Sequence, residues 1–529
     1  MTMKTRYILI LIAGLLGFWS CIDDEGNYKY IELPGLTINK GTMASLQAIV
    51  GEPVTYDPKV EYEVPADSVY FTYIWYDGKD SVSNKKILEF TPLQIREYRF
   101  RLEATDTRTG VQYVGTLLLS GVSPYQDCFV VLYKEGETSR LGFVKVQGFM
   151  EFGDPKDFKD YKIYYHVYKD VNGTDLGTGP QKVIQHIAGM NKSEFLVIQK
   201  GGDGCVEVDG TTVERVITTK QEFVNENPPA NLAPVDVCYH PSINVLLNAD
   251  GKLYNREMLS NEGFHSNAYV NVPMYIDVDN GVKGGKIERL IQPIYTNTNN
   301  FLLHDETNRR LIYSACFGSN LAAMVVLFCE DGWPAENYTP LDNLGDMELT
   351  YVAAYGDYEW DGGSSKYVMI LKDPSGKYKI QQFGVPARSS GGVTIEEAYL
   401  QKDFSGGEYI TPNSKFFLYK TGEYLFFSGG ANNDLLCCYR MVDGETFVHD
   451  NFNGKSVTAL CPNEGYTYSM WSGYPGLGVG LSNGEFYFYH MTDAALYYNK
   501  PEVLYRCSGF GDGIVDVIYK HTSEFTFWQ

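Results

Sequence analysis

No apolar run in these 529 residues is long enough to cross a bilayer as a helix. The longest, Tyr7 to Trp19, holds thirteen residues, against the roughly 20 that a spanning helix needs. Basic residues are scarce, with 44 Lys and Arg against 66 Asp and Glu and a net charge of −22. That balance excludes the basic stripes that grip phosphate backbones. There is no CxxC, no Cys/His spacing of a zinc site, and no HxxH or HExxH among the eight histidines. The one GxSxG string, "GLSNG" (480–484), sits at the hairpin turn marked by Asn483 and reads as a turn, not a nucleophile elbow. The glycine clusters "GGDG" (201–204), "DGGSS" (361–365) and "FSGGANN" (427–433) lack a Walker lysine and read as turns. No long amphipathic helical period occurs anywhere, and the length predicts two domains around separate cores.

What is present begins at the N-terminus. Lys4 and Arg6 precede the apolar run, and small Ser20 precedes Cys21. The pattern resembles the signal and lipobox of a bacterial lipoprotein. It implies cleavage of residues 1–20 and acylation of Cys21, and loss of Lys4 and Arg6 would take the charge from −22 to −24. Asp23, Asp24 and Glu25 would then sit beside anionic headgroups and add nothing to anchoring. They resemble the acidic export signal of Bacteroidetes lipoproteins bound for the outer face of the outer membrane. Ten cysteines less Cys21 leave nine, an odd number that cannot fully pair in one chain. Most are expected to be small buried hydrophobes, with one or two disulfides left open. Neighbouring Cys437 and Cys438 would face opposite sides of a strand.

Residues 21–35 read as a polar tether, and 36–123 alternate in short strand-like runs. "VYFTYIWYDGKD" (69–80) ends in the tight-turn pair Asp77-Gly78, and "EYRFRLEATD" (97–106) puts Tyr98, Phe100, Leu102 and Ala104 on one face. This predicts an Ig-like β-sandwich with Trp75 in its core. The two runs resemble a PKD-type domain. With the lipobox, the whole chain resembles the PKD-like lipoproteins of Bacteroidetes. That resemblance implies SusC/SusD-like outer-membrane importers as partners, in nutrient uptake.

After Pro124 one hairpin type recurs: 130–144, 195–208, 244–256, 300–315, 367–383, 423–441 and 476–491. Turn markers Glu135, Asp203, Asp250, Asp305, Asp373, Asn432 and Asn483 are spaced by 68, 47, 55, 68, 59 and 51 residues. A loose period of this size suits four-stranded blades, so residues 125–529 are expected to form a β-propeller of seven blades. Six or eight blades, or two sandwiches in series, stay open. The closing run "GIVDVIYKHTSEFTFWQ" (513–529) is expected to complete the blade begun near Cys128.

Chemistry is thinly marked. His166, His186, His240, His265, His304, His449, His490 and His521 are scattered. "DVDNG" (277–281) resembles the start of a calcium loop but lacks its closing acid. No catalytic residue, metal site or cofactor is assigned, although structural calcium stays open. Aromatics in turn-like contexts (Trp333, Trp360, Trp471 and Tyr474) are the expected ligand-binding face for a glycan or peptide. "DSV" at 67–69 and 80–82 resembles a Bacteroidetes O-glycosylation acceptor, which marks Ser68 and Ser81. The expectation is a non-catalytic, lipid-anchored accessory binder facing the cell exterior. The alternatives are a scaffold without a small ligand, or a propeller glycosidase or lyase with channel carboxylates.

Overall fold

Strand period and turn chemistry lay out the chain as two compact units, Met1–Val122 and Ser123–Gln529, in the computed structural model. The structure describes residues 35–63, 70–125, 128–147, 160–188, 192–239, 243–258, 264–274, 285–292, 300–315, 323–328, 338–356, 364–386, 394–395, 397–419, 422–463, 476–491 and 493–520.

The first unit carries a five-stranded sheet in the order Ala44–Ile49, Gln112–Val122, Glu97–Asp106, Phe71–Asp77, Asp80–Ser83. Its first two strands are parallel and the rest antiparallel. Alternation along Glu97–Asp106 buries Tyr98, Phe100, Leu102 and Ala104 together, against Trp75, Leu117 and Leu119. Ile38, Val60 and Leu88 join the same core from two short strand pairs, Leu36–Ile38 with Val60–Tyr62 and Val54–Tyr56 with Leu88–Phe90. Trp75 is 1% exposed and donates its indole N–H to the Lys86 carbonyl at 3.3 Å. The Tyr98 hydroxyl accepts from the N–H groups of Leu93 and Gln94 at 3.1 and 3.0 Å, the bonding of a tyrosine corner. Gly78, at φ 62°, makes the turn that Asp77-Gly78 announces.

The second unit holds seven sheets among the described residues, nearly all built from consecutive antiparallel strands. The first joins Asp160–Tyr164, Thr138–Gln147, Cys128–Glu135 and the C-terminal Gly513–Lys520. The second is Pro180–Ala188, Lys192–Gln199, Val206–Asp209 and Arg215–Thr218. The third is Pro234–Tyr239, Ile243–Asn248 and Leu253–Glu257. The fourth starts at Ile287–Ile291, the fifth at Glu348–Tyr355, the sixth at Phe416–Leu418 and the seventh at Val457–Pro462. Each hairpin read from the sequence supplies an adjacent strand pair in a different sheet.

Both faces of these sheets are covered, which is why their central strands are apolar without alternation. Along Cys128–Glu135, Val130 and Leu132 enter a core shared with the second sheet, while Phe129, Val131 and Tyr133 enter one shared with the seventh. Five further cores join the second sheet to the third, the third to the fourth, and so on to the seventh. The fold is all-β and propeller-like. Cys437 and Cys438 divide between successive cores, as neighbours on a strand must. Cys205, Cys437, Cys438 and Cys507 are buried free thiols, while Cys316 and Cys329 lie outside the described residues.

The strand Gly513–Lys520 pairs antiparallel with Cys128–Lys134 and so completes the first sheet, as the alternation of the run 513–529 predicts; residues 521–529 lie outside the described residues. The Asp516 carboxylate accepts the Val183 N–H at 3.0 Å, and Lys182 Nζ reaches Asp236 at 2.7 Å. These contacts tie the inner edges of the first three sheets. No helix among the described residues is long and apolar enough to cross a membrane.

Candidate functional site

Most residues marked in the sequence lie outside the described residues: Cys21, Asp23, Asp24, Glu25, Ser68, Trp333, Trp360, Trp471 and Tyr474, together with "DVDNG". Ser81 is described, and it stands exposed on Asp80–Ser83 opposite Tyr76. Two other places in the second unit gather chemistry.

The first is a cavity of about 910 Å³ at the inner edges of the first, second, sixth and seventh sheets. Its wall consists of the segments entering the inner strands (Thr411–Lys415, Ser456–Thr458, Gly513–Val515 and Pro180) and of the hairpin tips Ala431–Asn433 and Ser482. Lys134 and Lys415 bring positive charge, and Ser, Thr and Asn bring neutral hydrogen-bonding groups. No carboxylate, imidazole or aromatic ring lines it among the described residues. Asn433, 5% exposed and at φ 55°, donates its amide to the carbonyls of Val457 (2.8 Å) and Asn413 (3.2 Å). Its Oδ1 is buried without a hydrogen bond. A buried acceptor left unmet costs about 1–3 kcal/mol, so this oxygen calls for a donor.

The second is a polar cluster where the second and third sheets pack. Glu194 sits on Lys192–Gln199 and Glu207 on Val206–Asp209, between the core residues Val206 and Val208. Glu222 and His265 come from loops, and Arg256 from Leu253–Glu257. The His265 ring bridges two carboxylates, with Nε2 2.9 Å from Glu194 Oε2 and Nδ1 2.9 Å from Glu222 Oε1. Glu207 Oε2 lies 3.7 Å from the same Nε2. Arg256, wholly buried, pairs with Glu222 and lies 4.7 Å from the centre of the Tyr269 ring. With its amide turned oxygen-inward, Asn244 accepts from Arg256 Nε and Nη2 at 3.0 and 3.1 Å. Tyr239 donates its hydroxyl to Glu207 Oε1 at 3.2 Å and stacks on His186 at 3.6 Å.

Burial and pairing set the charges here. Burial pushes Glu194 up to about 7, and it raises Glu222 as well, helped by the charge of Glu207. Burial works against the charge of His265 too, yet Glu194 and Glu222 hold it up to about 10. Glu207 is kept low against its own burial by the neighbouring His186 and Arg256. His186, deeply buried, is pushed down to about 4 and stands neutral at pH 7. Glu194, Glu207 and His265 each offer one ligand atom, all within 4.8 Å of one another, so this donor set could hold a metal ion. The sequence carried a single signal for it, an acid inside the apolar strand "CVEV".

Residues 21–180 match the PKD-like family, a span that runs from within the first unit to the start of the second sheet of the second. No curated protein matches the chain in sequence. Among solved structures, the chain is similar to a quinonprotein alcohol dehydrogenase-like protein from Bacteroides thetaiotaomicron. The identity is 12%, the cover is 93% of this chain and 100% of that one, and the TM-score is 0.39. It is similar to the periplasmic gluconolactonase of Pseudomonas aeruginosa, at 11% identity, 72% and 95% cover and TM-score 0.33. It is also similar to the WD40 domain of SCAP from fission yeast, at 8% identity, 67% and 84% cover and TM-score 0.31.

Proposed function

We propose that this chain is a lipid-anchored surface protein of the outer membrane whose second unit is a seven-bladed β-propeller. It binds a polar nutrient, a glycan or peptide, as a non-catalytic accessory of a SusC/SusD-type importer. The observation that carries the binding role is the inner-edge cavity of about 910 Å³, lined by two lysines and by Ser, Thr and Asn beside Val457, Ile514 and Val515. A polyhydroxylated ligand accepts from the lysines and exchanges hydrogen bonds with the Ser and Thr hydroxyls. The absence of a carboxylate from this wall, among the described residues, favours holding over cutting. The seven sheets joined by seven successive cores favour the closed ring. Resemblance to PKD-like lipoproteins, now with a family match over residues 21–180, favours the importer as partner.

The test is affinity purification from the native outer membrane with the anchor intact and cross-linking, the eluate being analysed for proteins and bound saccharides or peptides. The expected result is a SusC/SusD-like pair together with a ligand. Lys134→Ala with Lys415→Ala should keep the pair and weaken the ligand at least about tenfold, near 1.4 kcal/mol. Recovery of the chain alone rejects the importer role, and ligand binding unchanged by the double substitution rejects the cavity.

A further inference from the structure

We infer that the cluster between the second and third sheets is a binding site for one divalent transition-metal ion, zinc by its donor set. Glu194 Oε2, Glu207 Oε2 and His265 Nε2 are the ligands. Neither the proposed nutrient cavity nor the importer role enters this inference.

Three observations converge on it. The donor atoms are spaced for a small tetrahedral ion. Zinc bonds of about 2.0–2.1 Å place ligand atoms about 3.3 Å apart. The distances here are 2.9 Å from His265 to Glu194 and 3.7 Å from His265 to Glu207, with all three donor atoms within 4.8 Å of one another. Next, the ligand atom Glu207 Oε2 is deeply buried without a hydrogen bond, on a residue 1% exposed. His265 beside it is bonded to Glu194 and Glu222, so the orphaned oxygen marks a missing partner. An ion bound to Glu207 Oε2 would supply that partner.

The third observation is the support behind the ligands. The second ring nitrogen of His265 faces Glu222 at 2.9 Å, and Glu222 is fixed by buried Arg256. A ligating histidine whose other N–H donates to a carboxylate is the arrangement that orients metal-bound imidazoles. Charge closes as well: three carboxylates and one guanidinium sum to −2 with both imidazoles neutral, and a divalent ion brings the buried cluster to zero. The ligands come from two strands of the second sheet and from the loop after the third, so the ion would pin these sheets together.

The competing account is a metal-free clamp, with His265 as an imidazolium between Glu194 and Glu222. The full chain in detergent, stripped with EDTA, distinguishes the two on titration with zinc chloride by calorimetry and by elemental analysis after dialysis. The expected result is one zinc per chain, release of about one proton per ion as the His265 Nε2 proton is displaced, and a higher Tm. His265→Ala and Glu207→Gln should each lower bound zinc to under about a tenth of an equivalent at the same free zinc, with far-ultraviolet circular dichroism unchanged. Glu288→Gln, which breaks a similar carboxylate–imidazole pair with His304 elsewhere, should leave zinc binding intact. Should a variant fail to fold, cobalt added to the stripped wild type provides a second readout, a visible absorption band of a four-coordinate ion. Failure of the stripped wild type to bind zinc, or binding that survives both ligand substitutions, overturns the site in favour of the clamp.

Discussion

Glu485 gathers more partners than any surface acid should need. Both its oxygens lie 3.0 Å from Lys455 Nζ, Arg506 Nη2 approaches one at 3.0 Å, and the Tyr487 hydroxyl donates at 3.2 Å. Burial opposes its charge, yet these donors hold its pKa down to about 2. A carboxylate depressed in the folded state stabilises fully above its unfolded value, about 4.3, and that contribution is lost as pH falls through the folded value. Glu485→Gln should therefore lower stability at pH 7 by about 1 kcal/mol, since both cations are partly exposed. The gap between wild type and variant should narrow as pH falls from about 4 towards 2. Urea midpoints at several pH values read this, and a gap independent of pH would deny the network its electrostatic role. Such groupings are hard to see in a sequence, and so is the cluster at His265. Its partners Glu194 and Glu222 lie 71 and 43 residues away along the chain. A motif search reads local spacing, whereas propeller-like packing joins residues from adjacent sheets.

At the scale of elements far more was legible, because the physics is local. Each hairpin writes two signatures next to each other, an apolar strand covered on both faces and a turn of Gly, Asn or Asp. "NVLLNADGKLYNR" became Ile243–Asn248 and Leu253–Glu257 on those grounds, with Gly251 at φ 80° in the turn. The outer strands, shorter and more polar, gave no such signal. The closing strand was legible from alternation alone, and its energetics follow from what it buries. Ile514 and Val517 are 2% and 3% exposed in the core between the seventh and first sheets. Each contributes about 1.5–3 kcal/mol by burial. Truncation after Asp512 also strips the partner strand from Cys128–Lys134 and the Asp516 carboxylate from the Val183 N–H. The truncated chain should lose at least about 3 kcal/mol, or fail to fold cooperatively, as read by urea denaturation. A peptide of residues 513–529 added in trans should recover part of that loss. An unaltered midpoint would mean that the strand is an appendage.

For the whole molecule the decisive question is where it is held, and charge sharpens it. A body at −22 is repelled by an anionic membrane surface, so on the proposed reading the hold is assigned to acyl chains on Cys21. Each buried methylene contributes about 0.8 kcal/mol, and one chain alone holds only marginally. If Cys21 carries several chains, the protein should partition wholly with membranes and resist extraction by high salt, because burial of acyl chains is not screened by ions. Cys21→Ala should move it to the soluble fraction of the envelope, with far-ultraviolet circular dichroism unchanged. The acids at 23–25 carry a separate instruction on the proposed reading. Replacing Asp23, Asp24 and Glu25 by alanine should leave the protein in the membrane fraction yet protect it from protease added to intact cells. Wild type should be cut. Two outcomes would break this scheme at different points. Membrane association that survives Cys21→Ala would assign anchoring to something other than lipid, and protease sensitivity that survives loss of the acids would separate surface display from that stretch.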